Sequence, residues 1–262
     1  YTDATSLAAI EAELASRFLP PRMIDGLAIT SAAGTLGTLS ALGETRNSPH
    51  SVIVAQPGEN PLTPPAEFAA EVAALVAYYG NADPARPFQT LPMVNALPPA
   101  EADLFTLEER GWGSGLLYDG IATTRVSGSV VQLERIITTY QTNGAGAADT
   151  AYLDAMTLLT LLYARYSFKA RFQSKYPRHK LANDGTRLGP GQAVMTPKLA
   201  KAECLGWFRE LEEMGLFENF DAFKRDLVVV RNGSDPNRLD VLLPPDLINS
   251  LMVCAASIQF RL

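Results

Sequence analysis

Several residues in this chain have the types needed for chemistry, but none has the spacing. Gly34 and Gly37, in GTLGT, follow an apolar run and precede a helix-prone one, where backbone N–H groups can face an anion. The G-x-G-x-x-G order is absent and no Walker lysine follows, so ordinary turn geometry is the better reading. Ser114 sits in GWGSGLL, where Gly111, Trp112 and Gly113 precede it, so it is not a G-x-S-x-G elbow. A hydrolase would also need His50 or His179 beside it, with a carboxylate behind. A flexible Gly-rich linker between two domains accounts for the segment. Asp119, Glu134, Asp149 and Asp154 have no spacing that specifies paired acids or a metal site. They read as solvated or capping carboxylates, with Asp149 capping a helix ahead of Tyr152. Two cysteines, Cys204 and Cys254, and two histidines far apart in sequence do not make a zinc site. Both cysteines are expected to be reduced, buried thiols, with a single disulfide as the alternative. Neither a cofactor nor a metal is expected.

One charged cluster carries more signal. Lys169, Arg171, Lys175, Arg178 and Lys180 gather at the end of a long helix-prone stretch, with His179 among them. Cations near a helix C-terminus are each favourable by about 0.3–1 kcal/mol, and that alone can explain them. The other reading is a docking surface for an acidic protein partner. Nucleic-acid contact ranks last, because the patch is short and lacks interleaved reading motifs. The net charge of -6 points away from general nucleic-acid binding as well. Asn232-Gly233-Ser234 matches a glycosylation acceptor but reads as a turn between strands, as the nearby Pro236 supports.

These residues must be positioned by a chain of 262 residues, enough for a sizeable core and one or two domains. At 47% hydrophobic and 19% charged, the composition is that of a folded protein with a lightly charged surface, as where much area faces other subunits. Residues 6–18 predict a helix, with Leu7, Ile10, Leu14 and Phe18 at three- and four-residue spacing, stopped by Pro20 and Pro21. Strands are expected at 23–30, 51–56, 91–95 and 116–118. Helices are expected at 35–42, 64–79 (ended by Gly80) and 99–110. This pattern predicts an α/β domain with a mostly parallel sheet over residues 1–118. The remainder, 119–262, is expected to be α+β. It comprises a hairpin over 121–140, a loop at 143–148 and a long helix over 152–176. An irregular connection over 177–195 follows, then a helix from the candidate N-cap Thr196 to Met214, ended by Gly215, and a short helical piece over 220–225. The long apolar helix carries Asp154 and Arg165 and is too short and polar to span a membrane.

The last stretch is the most informative. Residues 227–231 read LVVVR, a turn follows at NGSDPN, and 239–243 read LDVLL. The final block, MVCAASIQFRL, has no polar tail, and such a β-prone segment can add to a sheet in its own chain or in a neighbour's. The sequence starts at Tyr1 without a Met, and residues 5–18 are amphipathic without the features of a signal sequence. A fragment lacking its N-terminal part is expected.

The stretch GPGQAVMTPKLAKAECLGWFRELEEMGLFENFDAFKRDLVVVRNGSDPNRLDVLLPPDLINSLMVCAASIQFRL strongly resembles the C-terminal region of contractile-tail sheath proteins of the Mu-like phage and prophage type. So do DGIATTRVSGSVVQLERIITTYQTN and YLDAMTLLTLLYARYSFKARF upstream, and residues 1–118 are similar to the family's preceding α/β domain. The resemblance implies a structural, non-enzymatic subunit that polymerises in stacked hexameric rings around an inner tail tube. Its contraction drives the tube through the host envelope. The implied partners are further copies of the chain, the tail tube protein, the baseplate and the tail terminator, with no nucleic acid and no membrane span. The implied location is the virion tail sheath, assembled in the bacterial host cytoplasm. By analogy, Ser257, Ile258, Gln259, Phe260, Arg261 and Leu262 form an arm into a neighbouring subunit. The cluster of Lys169, Arg171, Lys175, Arg178 and Lys180 faces the tube. The family brings no catalytic residues. Sheaths of type VI secretion systems and of bacteriocin-like particles are close alternatives. An α/β enzyme and a cytoplasmic binding module are the readings from other classes.

Overall fold

The computed structural model describes residues 2–111 and 113–260. They divide between two compact units, one comprising Tyr1–Leu159 with Ser250–Leu262 and the other Thr160–Asn249.

In the first unit, helix α1 (Ala4–Phe18) is capped by Asp3, whose side chain accepts from the Ser6 N–H, and it buries only Leu7. Strand β1 (Ala28–Gly34) starts later than the expected 23–30, since Met23 takes a left-handed φ of 50° that interrupts an extended run. Thr35 caps helix α2 (Leu36–Glu44) by accepting from the Thr38 N–H. Strand β2 (Ser51–Pro57) pairs with β1 in parallel, Ala28 opposite Ser51 and Gly34 opposite Pro57. Side chains alternate across a strand. Val52 and Val54 therefore enter one core with Phe68, Val72 and Leu133, while Ile53 and Ala55 enter another with Leu39, Leu116 and Ile121. Helix α3 (Pro65–Ala82) lays Phe68, Val72 and Val76 on the first of these cores at four-residue spacing. It continues past Gly80, where a Cβ would stand 3.0 Å from Leu159 Cδ1, so the glycine admits a neighbour rather than ending the helix.

Beyond α3 the expectations need correction. Strand β3 is only Pro92–Met93, and the helix expected over 99–110 is split into a 3-10 turn (Glu101–Asp103) and helix α4 (Leu107–Arg110). Thr106 restarts the helix through a capping box with Glu109, each accepting from the other's backbone N–H. Residues 116–118 form a turn and not a strand. Strands β4 (Thr123–Ser127) and β5 (Val130–Arg135) make the expected hairpin, and β3 pairs with the other edge of β5, all antiparallel. The expected mostly parallel sheet is therefore replaced by a parallel pair, β1–β2, and a three-stranded antiparallel sheet, with an isolated parallel bridge from Val54 to Ala122 between them. The short turn of a hairpin imposes antiparallel pairing on β4 and β5. Residue 118 lies inside this unit, because the β3–β5 pairing and the Val54–Ala122 bridge join segments on either side of it.

A close approach fixes one corner. A Cβ on Gly43 would stand 2.1 Å from the Asp119 carbonyl oxygen, so only glycine fits. Gln141 Nε2 lies 3.1 Å from the Gly43 carbonyl and 3.2 Å from those of Arg46 and Asp119.

Helix α5 (Ala155–Lys175) begins in the first unit and supplies the second from Thr160 onward. Strands β6 (Lys180–Leu181) and β7 (Val194–Met195) pair in parallel inside the stretch expected to be irregular. Helix α6 (Pro197–Glu213) starts at the expected cap, Thr196 accepting from the Leu199 N–H, and ends ahead of Gly215, whose φ is 72°. Strand β8 (Phe217–Glu218), helix α7 (Phe220–Asp226), strands β9 (Val228–Arg231) and β10 (Leu239–Leu242) and strand β11 (Asp246–Leu247) follow. Both β9–β10 and β8–β11 are antiparallel two-stranded sheets. The core here is aromatic. Phe208 stacks on Phe223 at 4.3 Å between centroids, and Trp207 meets Phe168 and Phe217 edge-on at 5.3 and 5.4 Å. Trp207 Nε1 donates to Ser167 Oγ at 3.0 Å, so the indole N–H is satisfied. The final block expected to be β-prone forms no strand over residues 252–260.

Candidate functional site

The residues with chemical potential are dispersed into structural roles. Gly34 ends β1 and Gly37 lies in α2, on either side of the Thr35 cap. Ser114 lies in a turn after α4, and Trp112 beside it is outside the described residues. His50 is buried in the first unit, 5.0 Å from the Phe18 ring, and His179 is in the second, 5.0 Å from the Tyr176 ring. Among the four acids, Glu134 accepts from Arg110 at 2.8 Å, and Asp154 accepts two bonds from Arg135 at 3.0 Å each. Asp149 accepts from the Tyr140 hydroxyl at 2.7 Å and from the Ala151 N–H at 2.9 Å. It therefore holds a turn and not the start of α5, and the tyrosine bond lowers its carboxyl pKa. Asp119 is buried. No group of three or more His, Cys, Asp or Glu suited to a metal ion occurs among the described residues. Both cysteines are free, but only Cys204 is buried; Cys254 is exposed, because its segment leaves the core. Burial pushes the Cys204 thiol up to about 11.

The five predicted cations do not act as one patch. Arg171 donates to both Glu203 and Glu210 on α6. Lys175 Nζ and the Tyr176 hydroxyl donate to Glu203 at 2.7 and 2.6 Å. One carboxylate thus collects three donors from the end of α5 and staples it to α6. Burial opposes the charge on Glu203, but hydrogen bonds from Lys175, Tyr176 and Arg171 together outweigh it and bring its carboxyl down to about 2. The bond to Glu203, reinforced by burial, pushes Tyr176 up to about 12. Lys180 donates to Gln192 at 2.8 Å. Lys169 and Arg178 are exposed and make no ion pair among the described residues. Sequence reasoning missed Glu203 and Glu210, although their seven-residue separation places them on one face of a helix.

Assembly features are concentrated elsewhere. The β9–β10 sheet has two strands, and Val228, Val230 and Leu242 on it are exposed. Two-stranded sheets keep unpaired backbone donors and acceptors along their outer edges. Of the predicted arm, Ser257, Ile258, Gln259 and Phe260 are exposed without regular structure, Ile258 at 96% and Phe260 at 82%; Arg261 and Leu262 lie outside the described residues. No helix of the described residues is long and apolar enough to cross a membrane.

Comparison with known proteins places the chain in a family. The family model of the phage tail sheath protein central domain matches residues 1–139, and that of the phage tail sheath C-terminal domain matches residues 147–261. The chain is 41% identical over 263 residues to the Mu-like prophage FluMu tail sheath protein of Haemophilus influenzae, covering all of this chain and 53% of that protein. It therefore spans about half the length of this curated relative. Its fold is similar to the crystal structure of the sheath tail protein from Desulfitobacterium hafniense, with a TM-score of 0.64 at 16% identity, over 96% of this chain and 52% of that one. It is also similar to a chain of the six-fold symmetrised cryo-EM structure of the anti-feeding prophage baseplate, with a TM-score of 0.62 at 12% identity, over 99% of this chain and 66% of that one. With two family models dividing nearly its whole length between them, the chain belongs to the phage tail sheath protein family.

Proposed function

We propose that this chain works as part of a contractile tail sheath subunit, polymerising around an inner tail tube and contracting to drive it through a host envelope. The observation that carries the reading is the 41% identity with a Mu-like prophage tail sheath protein along the whole chain. On this reading the copies form stacked hexameric rings in the virion tail, assembled in the host cytoplasm between baseplate and tail terminator. The exposed segment from Ser257 through Phe260, with Arg261 and Leu262, is the arm that adds to a neighbour's sheet. The open edges of β9–β10 offer the receiving backbone, and main-chain pairing of this kind depends little on side-chain detail. Lys169 and Arg178, the two of the five clustered cations that make no ion pair among the described residues, face the tube. The work of contraction is stored at assembly, as a metastable extended state above a contracted one.

Negative-stain electron microscopy of the protein in its full length tests this. Tubes or rings are expected. Ending the chain after Ser257 should leave the monomer folded and weaken polymerisation. A protein that stays small and monodisperse with tail-tube protein added would sink the sheath reading, and normal tubes from the truncated chain would sink the arm.

A further inference from the structure

Within the first unit, the exposed terminal segment starts beside a groove. Ser250 Oγ donates to the Ala85 carbonyl at 3.1 Å, Gln89 Nε2 donates to the Leu251 carbonyl at 3.2 Å, and Met252 packs against the first core. Met252 and Val253 then line a cleft with Leu107, Arg110 and Arg125. The same two arginines line a neighbouring groove of about 310 Å³ whose wall mixes polar and apolar side chains. Its lips include Leu62 and Leu97, 64% and 58% exposed, above Phe68 and Val131. Beyond Val253 the segment makes no hydrogen bond among the described residues, and its large apolar side chains stand in solvent.

We propose that this groove is a docking site for the chain's own terminal segment, residues 254–260, with Phe260 and Ile258 as the side chains it receives. The segment is already anchored at Met252, with the exposed Val253 on the rim of the adjoining cleft, so its path into the groove runs past Arg110 and Arg125. Seven residues in extended form span at most about 25 Å, ample for a neighbouring site. Tethering decides the occupant. A short flexible connection presents the segment at an effective concentration of about millimolar, well above that of a second copy in dilute solution. Burying two large apolar side chains offsets part of the ordering of the segment, and main-chain hydrogen bonds to the groove wall supply the rest, so docked and extended forms coexist. This inference rests on reading the segment as the linking arm. Docking withholds the arm from neighbours, and a receiving sheet edge competes it out, so pairing waits for a correctly placed subunit.

Hydrogen exchange on the 262-residue chain at low micromolar concentration tests the proposal against two variants. One chain ends at Val253, and the other keeps full length with Ile258→Asp and Phe260→Asp, so that a folding defect in one does not decide the outcome. Amides of residues 59–63 and 100–105 should exchange about 2- to 10-fold more slowly in the intact chain than in either variant. A peptide of residues 254–262 added in excess to the shortened chain should restore the protection. Equal exchange in all three chains overturns the proposal. Protection that rises with protein concentration also overturns it, since the groove would then receive a second copy. Failure of the full-length protein to form tubes would leave the protection in place, so the sheath reading and the docking site fall separately.

Discussion

The two units hold their helices by different physics. The first carries 17 acidic and 8 basic residues and no lysine; the second carries 11 acidic and 14 basic residues and all six lysines. In the first, helices lie on strands, and the core is mainly aliphatic, with Val52, Val54, Leu133 and Ile137 at its centre. Its charged pairs, such as Arg110–Glu134, sit beside that core. In the second, strands are two to four residues long, and the helices are joined by an aromatic cluster and by the Arg171–Glu203 staple. Sheet cores gain from many interchangeable apolar contacts, whereas the second unit depends on a few large rings and one multiply bonded carboxylate. Damage should therefore be graded in the first unit and concentrated in the second.

The largest expected effect is at the stacked ring. Phe208→Ala should cost about 3–5 kcal/mol, read by urea unfolding followed at methyl groups of each unit. If Ile53 signals in the first unit and Leu211 signals in the second shift equally, the units unfold as one and the contrast between them fails. Glu203→Ala comes next, at about 3 kcal/mol, because it leaves the buried Arg171 guanidinium opposed only by the more exposed Glu210. A loss no larger than that of an exposed ion pair would show that the staple contributes little. The same group sets a pH dependence. The Glu203 pKa is depressed on folding, from 4.5 to about 2. Its contribution, at most about 3 kcal/mol, is complete above about pH 4.5 and is lost as pH falls toward 2. Acid titration of the second unit should show this loss, and Glu203→Gln should remove it. In the first unit, Gly43→Ala should cost about 1–3 kcal/mol, since α2 must move away from Asp119 to admit a Cβ. Thermal melting checks this; an unchanged midpoint would mean that the corner is pliable. The smallest effect is at Lys169→Ala and Arg178→Ala, each within about 0.5 kcal/mol. A larger loss at either would place it in the staple and remove it as a candidate tube contact.

Much of the fold was legible where local signals agree. Thr196 ahead of Pro197, Gly215 at the other end and an apolar stripe between them specify α6 without reference to the rest of the chain. In SVIVAQ the β-branched run Val52-Ile53-Val54 favours a buried strand. The hairpin turns at Ser127–Gly128–Ser129 and at Asn232 were readable for the same reason. Two-residue strands such as β6, β7, β8 and β11 have no period to detect, since their pairing partners are distant in sequence. The split of the helix expected over 99–110 was missed although Thr106 and Glu109, three residues apart, have the types of a capping box. The cations at the end of α5 were visible as a group, but their division into stapled and outward-facing members was not.

What the sequence determined by itself is the local conformation of its capped and strongly patterned segments, and a family resemblance carried by long stretches rather than by a motif. Only the tertiary structure decided the parallel and antiparallel pairings of the first unit, the partners of Arg171 and the exposure of the terminal segment beside a groove. The physical reason is range. Caps, turns and periodicity act over a few residues. The charge state of Glu203, the space at Gly43 and the burial of Met252 depend on groups brought close only when distant segments pack.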